Sequence, residues 1–157
     1  MVLILKNQIQ KPPKNSNKFF AKYVTTKIID GFTIPPPLQV LLIKEYCKNK
    51  DILFSLPVEE FRFEGFYIEL FGILKNIKKL DGLIMPSIKL IPKEKKYMDD
   101  FFQICNNENL EIHFILESII IKSTYNEIEG IKDILIIDEI SKKYSNRISE
   151  DLKGIIN

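Results

Sequence analysis

"YVTTKIIDGFTIPPPLQVLLIKEYC", Tyr23 to Cys47, passes from a strand-like segment through a proline-rich loop into a helix-like segment. This order is the opening of a βα unit, and repeated along a chain it specifies an α/β fold. Pro37 suits a first helical turn, and Leu38, Leu41, Leu42 and Tyr46 recur at helical spacing behind it. The loop from Thr25 to Pro37 carries Thr25, Thr26, Lys27, Asp30 and Thr33 at the mouth of the unit. "TIPPPLQ" lacks the glycines of a phosphate-cradling loop, so neither a nucleotide-binding fingerprint nor a cofactor is expected there. Its prolines stiffen the loop into a fixed wall.

Working outward, the alternation continues. "AKYVTTKII" reads as the first strand and Pro37 to Lys50 as a helix. Ile52 to Val58 reads as a second strand, and Gly65 to Lys79 as a helix with Phe66, Leu70, Leu74 and Ile77 on one stripe. "GLIMPS" is apolar without alternation, which suits a central strand covered on both faces. Lys93 to Asn107 reads as a third helix, carrying Tyr97, Phe101, Ile104 and Cys105 inward, and "LEIHFILE" as a fourth strand. "SIIIKS" follows too closely for a crossover helix, so a fifth strand there turns back antiparallel at the edge. Thr124 to about Ser145 reads as a long helix, with Thr124 and Glu127 forming a capping box. "DILIID" fits this helix and also fits a sixth strand.

The expected fold is therefore a mostly parallel sheet with helices on both faces and an antiparallel edge strand. At 157 residues there is room for a single core. Residues 1–20, polar and proline-bearing after a short apolar start, read as an arm or linker, and 21–157 as one α/β domain.

Composition narrows the function classes. The 23 basic and 21 acidic residues nearly cancel, so nucleic acid is not an expected partner. Arginine occurs only at Arg62 and Arg147, and alanine only at Ala21, a bias that weakens propensity arguments. Cys47 and Cys105 match no metal spacing, and a single histidine excludes a histidine-rich metal site within one chain, so no metal is expected. "MVLIL" is too short for a signal-peptide core and no apolar run suits a membrane helix, which predicts a cytoplasmic protein with reduced thiols and no membrane contact.

The order of these pieces resembles the catalytic domain of serine recombinases, with their "YxRVST" strand end, a helix ending near "YC" and a third strand running into an arginine-rich segment. On that frame Thr25 stands where the family has arginine and Lys27 where it has the nucleophilic serine, and "SIKLIPKEKK" replaces the arginine-rich run. The resemblance implies the architecture, with strand order 2-1-3-4, and not the chemistry. A closer resemblance is to the sporadic carbohydrate cluster proteins, small bacterial proteins associated with surface-carbohydrate genes. It rests on Tyr23-Val24-Thr25-Thr26-Lys27, Gln39, Tyr46-Cys47, Leu56-Pro57, Asp81-Gly82, Ser87, Ile91-Pro92, His113-Phe114 and Glu117 in sequence order. It implies a role in O-antigen- or capsule-type carbohydrate biosynthesis, with a sugar-phosphate or nucleotide-sugar ligand. Lys27 replaces that family's usual arginine, keeping the charge and losing the planar fork. The alternative is a non-catalytic resolvase-like module acting through protein association or nucleic-acid contact.

In parallel sheets ligands bind beyond the carboxyl ends of the strands. Lys27, Arg62 and Lys89 bring positive charge to that edge, where Thr25, Thr26 and Gln39 add hydrogen-bonding groups, so an anion site is expected there. Ser87 is read as a donor or a nucleophile, and Glu117 as a general base or a partner of backbone N–H groups. His113, between Ile112 and Phe114, is a catalytic candidate or a packing residue. Ile134 to Ile137 are consecutive, so in a helix some must face away from the core, which predicts a homodimer through this segment.

Overall fold

The computed structural model describes residues 18–156 except 30, 61 and 64, with side chains through residue 150. Most of the expected arm, residues 1–17, lies outside the described residues. The elements in order are β1 (Phe19–Thr25), α1 (Pro36–Asn49), β2 (Leu53–Glu60), α2 (Ile68–Lys75), β3 (Gly82–Met85), α3 (Lys95–Asn107), β4 (Glu111–Phe114), β5 (Ile119–Ile121) and α4 (Tyr125–Ile156). Single 3-10 turns at Ile77–Lys79 and Ile88–Leu90 flank β3. The sheet order is β2-β1-β3-β4-β5. The first four strands run parallel and β5 pairs antiparallel with β4. This is the expected mixed α/β architecture and strand order.

Strand alternation divides the core. Phe20, Val24 and Ile84 meet Ile43 and Cys47 of α1 on one face. Ala21, Tyr23, Leu83, Met85, Ile112 and Phe114 pack on the other face with α2, α3 and the start of α4. All four residues of β3 are buried, as befits a strand covered on both sides. At Gly82 the two neighbouring strands come too close for a side chain. A Cβ there would lie 1.9 Å from the Glu111 carbonyl oxygen and 2.4 Å from the Phe20 ring.

Helices α1 and α3 end alike. Asp51 and Asn109 take positive φ, and the following amides, Ile52 and Leu110, donate back to the carbonyls of Cys47 and Cys105 at 2.9 Å. Each such turn feeds the chain directly into the next strand.

Four details depart from expectation. β1 stops at Thr25, four residues early, because the Thr25 hydroxyl accepts the Lys27 amide and turns the chain. The buried line of α1 is Gln39, Ile43 and Cys47, while Leu38, Leu41 and Leu42 are exposed. Gln39 has backbone partners in the core, and that sets the rotation of the helix. α2 is short, ending at Lys75 before a 3-10 turn. α4 extends to Ile156 and takes "DILIID" as helix, excluding a sixth strand there.

The N-terminus of α4 is capped as the sequence suggests. Glu127 accepts from the Thr124 amide at 3.2 Å and from its hydroxyl at 2.7 Å. No helix among the described residues is long and apolar enough to cross a membrane.

Candidate functional site

The carboxyl edge of the sheet gathers the loops after β1, β2, β3 and β4. After β1, Thr25 is fully buried and bracketed by Gln39 of α1. The Thr25 amide donates to Gln39 Oε1 at 3.1 Å, and Gln39 Nε2 donates to the Thr25 and Ile34 carbonyls at 2.5 and 2.6 Å. Both side chains of this pair are therefore built into the scaffold and do not reach solvent. Thr26 beside them is partly exposed.

Lys27 turns outward from this bracket. Its ammonium donates to the Phe66 carbonyl at 2.5 Å and lies 3.8 Å from the centre of the Tyr67 ring. It lines a cavity of about 450 Å³ with Arg62, Tyr67, Lys89, Lys93 and Glu94. Among the described lining residues there are four basic side chains and one carboxylate. Lys89 is steadied from α4, its ammonium 3.1 Å from Asp138 Oδ1, and the lysines hold the Asp138 carboxyl below its usual range. The first cause of that shift is Lys142, one turn along the helix at 2.8 Å. Arg62 and Lys93 are exposed.

Ser87 sits behind this cavity, fully buried. Its hydroxyl donates to Glu117 Oε1 at 2.5 Å and accepts the Lys89 amide at 3.1 Å. The other Glu117 oxygen accepts the Ile88 amide at 3.2 Å. The carboxylate thus ties the end of β4 to the turn after β3. A hydroxyl with no solvent exposure cannot reach a substrate, so this geometry positions Lys89 and provides no nucleophile.

His113 is elsewhere, on the α1 face. Its Nδ1 lies 2.8 Å from the Tyr46 hydroxyl and its Nε2 2.7 Å from Glu111 Oε1, and Lys18 pairs with the second Glu111 oxygen. Burial holds the imidazole below its usual range, against the pull of Glu111. A neutral ring with Nε2–H donating to Glu111 and Nδ1 accepting from Tyr46 satisfies every group. Burial raises the Glu111 carboxyl, but hydrogen bonds from Lys18 and His113 outweigh it and leave the group below the usual carboxylate range. His113 therefore does not join Ser87 and Glu117. Burial also pushes the thiols of Cys47 and Cys105 up to about 11 and about 12, which leaves them protonated and unreactive.

Two solved structures share this architecture. A resolvase family site-specific recombinase from Streptococcus pneumoniae aligns over 86% of this chain and 98% of its own, with TM-score 0.55 and 12% identity. The N-terminal catalytic domain of TP901-1 integrase aligns over 82% and 99%, with TM-score 0.53 and 16% identity. This is a resolvase-like fold. No protein-family model and no curated protein matches the chain.

The comparison overturns the expected part in surface-carbohydrate biosynthesis, and with it the sugar-phosphate or nucleotide-sugar ligand. The architectures shared are those of a recombinase and an integrase, so the expectation that nucleic acid is not a partner is withdrawn as well. Net charge was the misleading signal. A balance summed over the chain conceals a local excess of cations at one edge.

Strand ends in the sequence bring Lys27, Arg62 and Lys89 to one place but do not reveal Lys93 or the aromatic wall beside it. The available signal was "FRFEGFY", residues 61–67, where an arginine is interleaved with aromatic residues. Tyr46 was likewise hidden as a partner of His113, since a contact between α1 and β4 leaves no trace in spacing, whereas Glu111 lies two residues before it on the same strand face.

Proposed function

We propose that this chain is a resolvase-like module that contacts nucleic acid through the cationic cavity at the carboxyl edge of its sheet, without the strand cleavage of a recombinase. The observation that carries the reading is the cavity itself, with Lys27, Arg62, Lys89 and Lys93 gathered around it and Glu94 the opposing carboxylate among the described residues. Phosphates are the anions such a cluster suits, and their contacts position a nucleic acid without reading sequence. On the frame of the sequence resemblance Lys27 stands where the recombinases have their nucleophilic serine, and Ser87 is fully buried. The narrower kinship with sporadic carbohydrate cluster proteins rests on the ordered motif residues alone and brings no carbohydrate role with it.

The test is fluorescence anisotropy with labelled single-stranded and duplex oligonucleotides at increasing salt. Binding that weakens linearly in log–log form, and weakens further in an Arg62→Ala, Lys93→Ala double variant, supports the reading. No binding to any oligonucleotide at low salt, or unaltered binding by the double variant, overturns it.

A second reading has its own observation. Ile134, Ile136, Ile137 and Ile140 of α4 are all exposed, while Leu135 packs on the core. Exposed isoleucines in this number on one helix suit protein association through α4. Light scattering at micromolar concentration tests it. An unchanged mass after Ile137→Glu and Ile140→Glu removes α4 from any interface.

A further inference from the structure

Beside the cationic cavity runs a second, apolar groove of about 610 Å³, and the two share Gly65 and Tyr67. Phe66, Ile68, Phe71 and Tyr97 supply most of its apolar lining. Phe66 and Ile68 are 47% and 59% exposed, a large apolar area to leave in water beside a charged cleft. The rings fall into two groups, Phe63 with Phe66 and Tyr97 with Tyr67 and Phe71. Phe63 and Phe66 are 5.6 Å apart between centres, and Tyr97 is 6.0 Å from both Tyr67 and Phe71, all tilted rather than stacked face to face. One face of Tyr67 is taken by Lys27, so the ring joins the two cavities as their common wall.

We infer that the ligand of this composite site is a single-stranded nucleic acid, whose phosphates lie in the cationic cavity and whose unpaired bases stack in the aromatic groove. This rests on the nucleic-acid reading above and adds the class of strand. A duplex offers its phosphates outward and keeps its base faces stacked inside, so it can use the cations but not the rings. A single strand presents both together, and a flat base fills a tilted aromatic slot whatever its sequence. Asp100 lines the groove, where it repels phosphate from the aromatic side and can accept base N–H groups, while Glu94 is one carboxylate among the four cations of the cavity. Lys75, at the groove, offers a further cation to the continuing backbone.

The experiment uses the full chain with three fluorescent probes. They are an oligothymidylate of about 12 nucleotides, within the site sizes of single-strand binders, an abasic strand of equal length, and a duplex of equal length. The oligothymidylate binds about tenfold tighter than either other probe, since one stacked base is worth about 1–3 kcal/mol. Phe66→Leu keeps an apolar side chain without a ring face and removes most of that preference, and Phe66→Tyr restores it. Equal binding of all three probes overturns the inference while leaving phosphate contact intact. Absence of binding to every probe overturns the function proposal as well. If Phe66→Leu leaves oligothymidylate binding unchanged and instead alters the molecular mass in light scattering, the groove is a protein contact and the inference fails.

Discussion

Two polar clusters flank the same sheet, and they differ in what they leave unfinished. On the α1 face, Tyr46, His113, Glu111 and Lys18 form a chain in which each group has its partner, centred on a histidine that is 2% exposed. At the carboxyl edge, Lys27 and Lys89 are steadied by internal contacts, and Arg62 and Lys93 stand exposed beside them over a cavity. The first arrangement consumes its own hydrogen-bonding capacity and so contributes to the fold. The second concentrates one sign of charge where a ligand can enter. Titratable residues alone do not mark a site; surplus capacity facing a void does.

The largest effect comes from removing the ground on which the buried chain stands. Gly82 pairs with Glu111, and an added Cβ meets a backbone oxygen that has no room to move. Gly82→Ala is expected to cost more than about 4 kcal/mol, enough to abolish cooperative unfolding in a urea titration. A well-folded Gly82→Ala protein would show that the sheet can part here, and the distinction between a rigid face and an open edge would lose its basis.

Next is the bracket that separates scaffold from site. Gln39→Leu removes the side-chain partner of the Thr25 amide and of the Thr25 and Ile34 carbonyls, at an expected cost of about 2–4 kcal/mol in chemical denaturation. Gln39→Glu fails similarly, because a carboxylate cannot donate to the two carbonyls that Nε2 serves. A variant of wild-type stability that no longer binds oligonucleotides would move Gln39 from the scaffold into the site.

The sequence made some of this legible. The order 2-1-3-4 came with the recombinase resemblance, while the antiparallel edge followed from the short β4–β5 connection and the central place of β3 from its apolar run. Connection length and burial on both faces restrict topology directly. The capping box at Thr124 and Glu127 was legible for the same reason, being local. The rotation of α1 was not. Leu38, Leu41 and Leu42 form the more apolar line, yet Gln39 faces inward because one amide satisfies two backbone groups at the end of β1 and a third at Ile34. Lys27, Arg62 and Lys89 could be assigned to one edge from strand ends alone. That Ser87 would be sealed behind them by Glu117 depends on a contact spanning 30 residues, which no spacing rule carries.

Acid should separate the clusters more gently. His113 lies below its ordinary value of 6.5, so between that value and its folded one the unfolded chain binds a proton that the native chain does not. Native stability therefore falls as pH drops below about 6.5. Glu111 lies below its ordinary 4.5, so its contribution is present above that value and disappears on further acidification through its folded value. Thermal melts across this range should show a decline beginning near pH 6.5. His113→Phe should remove that first decline while leaving oligonucleotide binding intact. A His113→Phe protein that keeps the same pH profile would mean the buried chain does not govern it.

The smallest expected effect on stability is at Arg62, and it is the most discriminating. Arg62 is exposed at the cavity, where a substitution ordinarily changes folding free energy by no more than about 0.5 kcal/mol. Arg62→Ala should accordingly melt with the parent protein. Its binding to oligonucleotides should nevertheless weaken across all sequences, and the dependence of log affinity on log salt should become shallower by roughly 0.7 to 0.9 for each phosphate that the variant leaves unneutralised. The buried chain predicts the opposite pairing, with stability reduced and binding kept. If Arg62→Ala unfolds at a lower temperature and binds normally per folded molecule, then the edge is scaffold too. The surplus charge there would then be compensation within the fold rather than provision for a ligand.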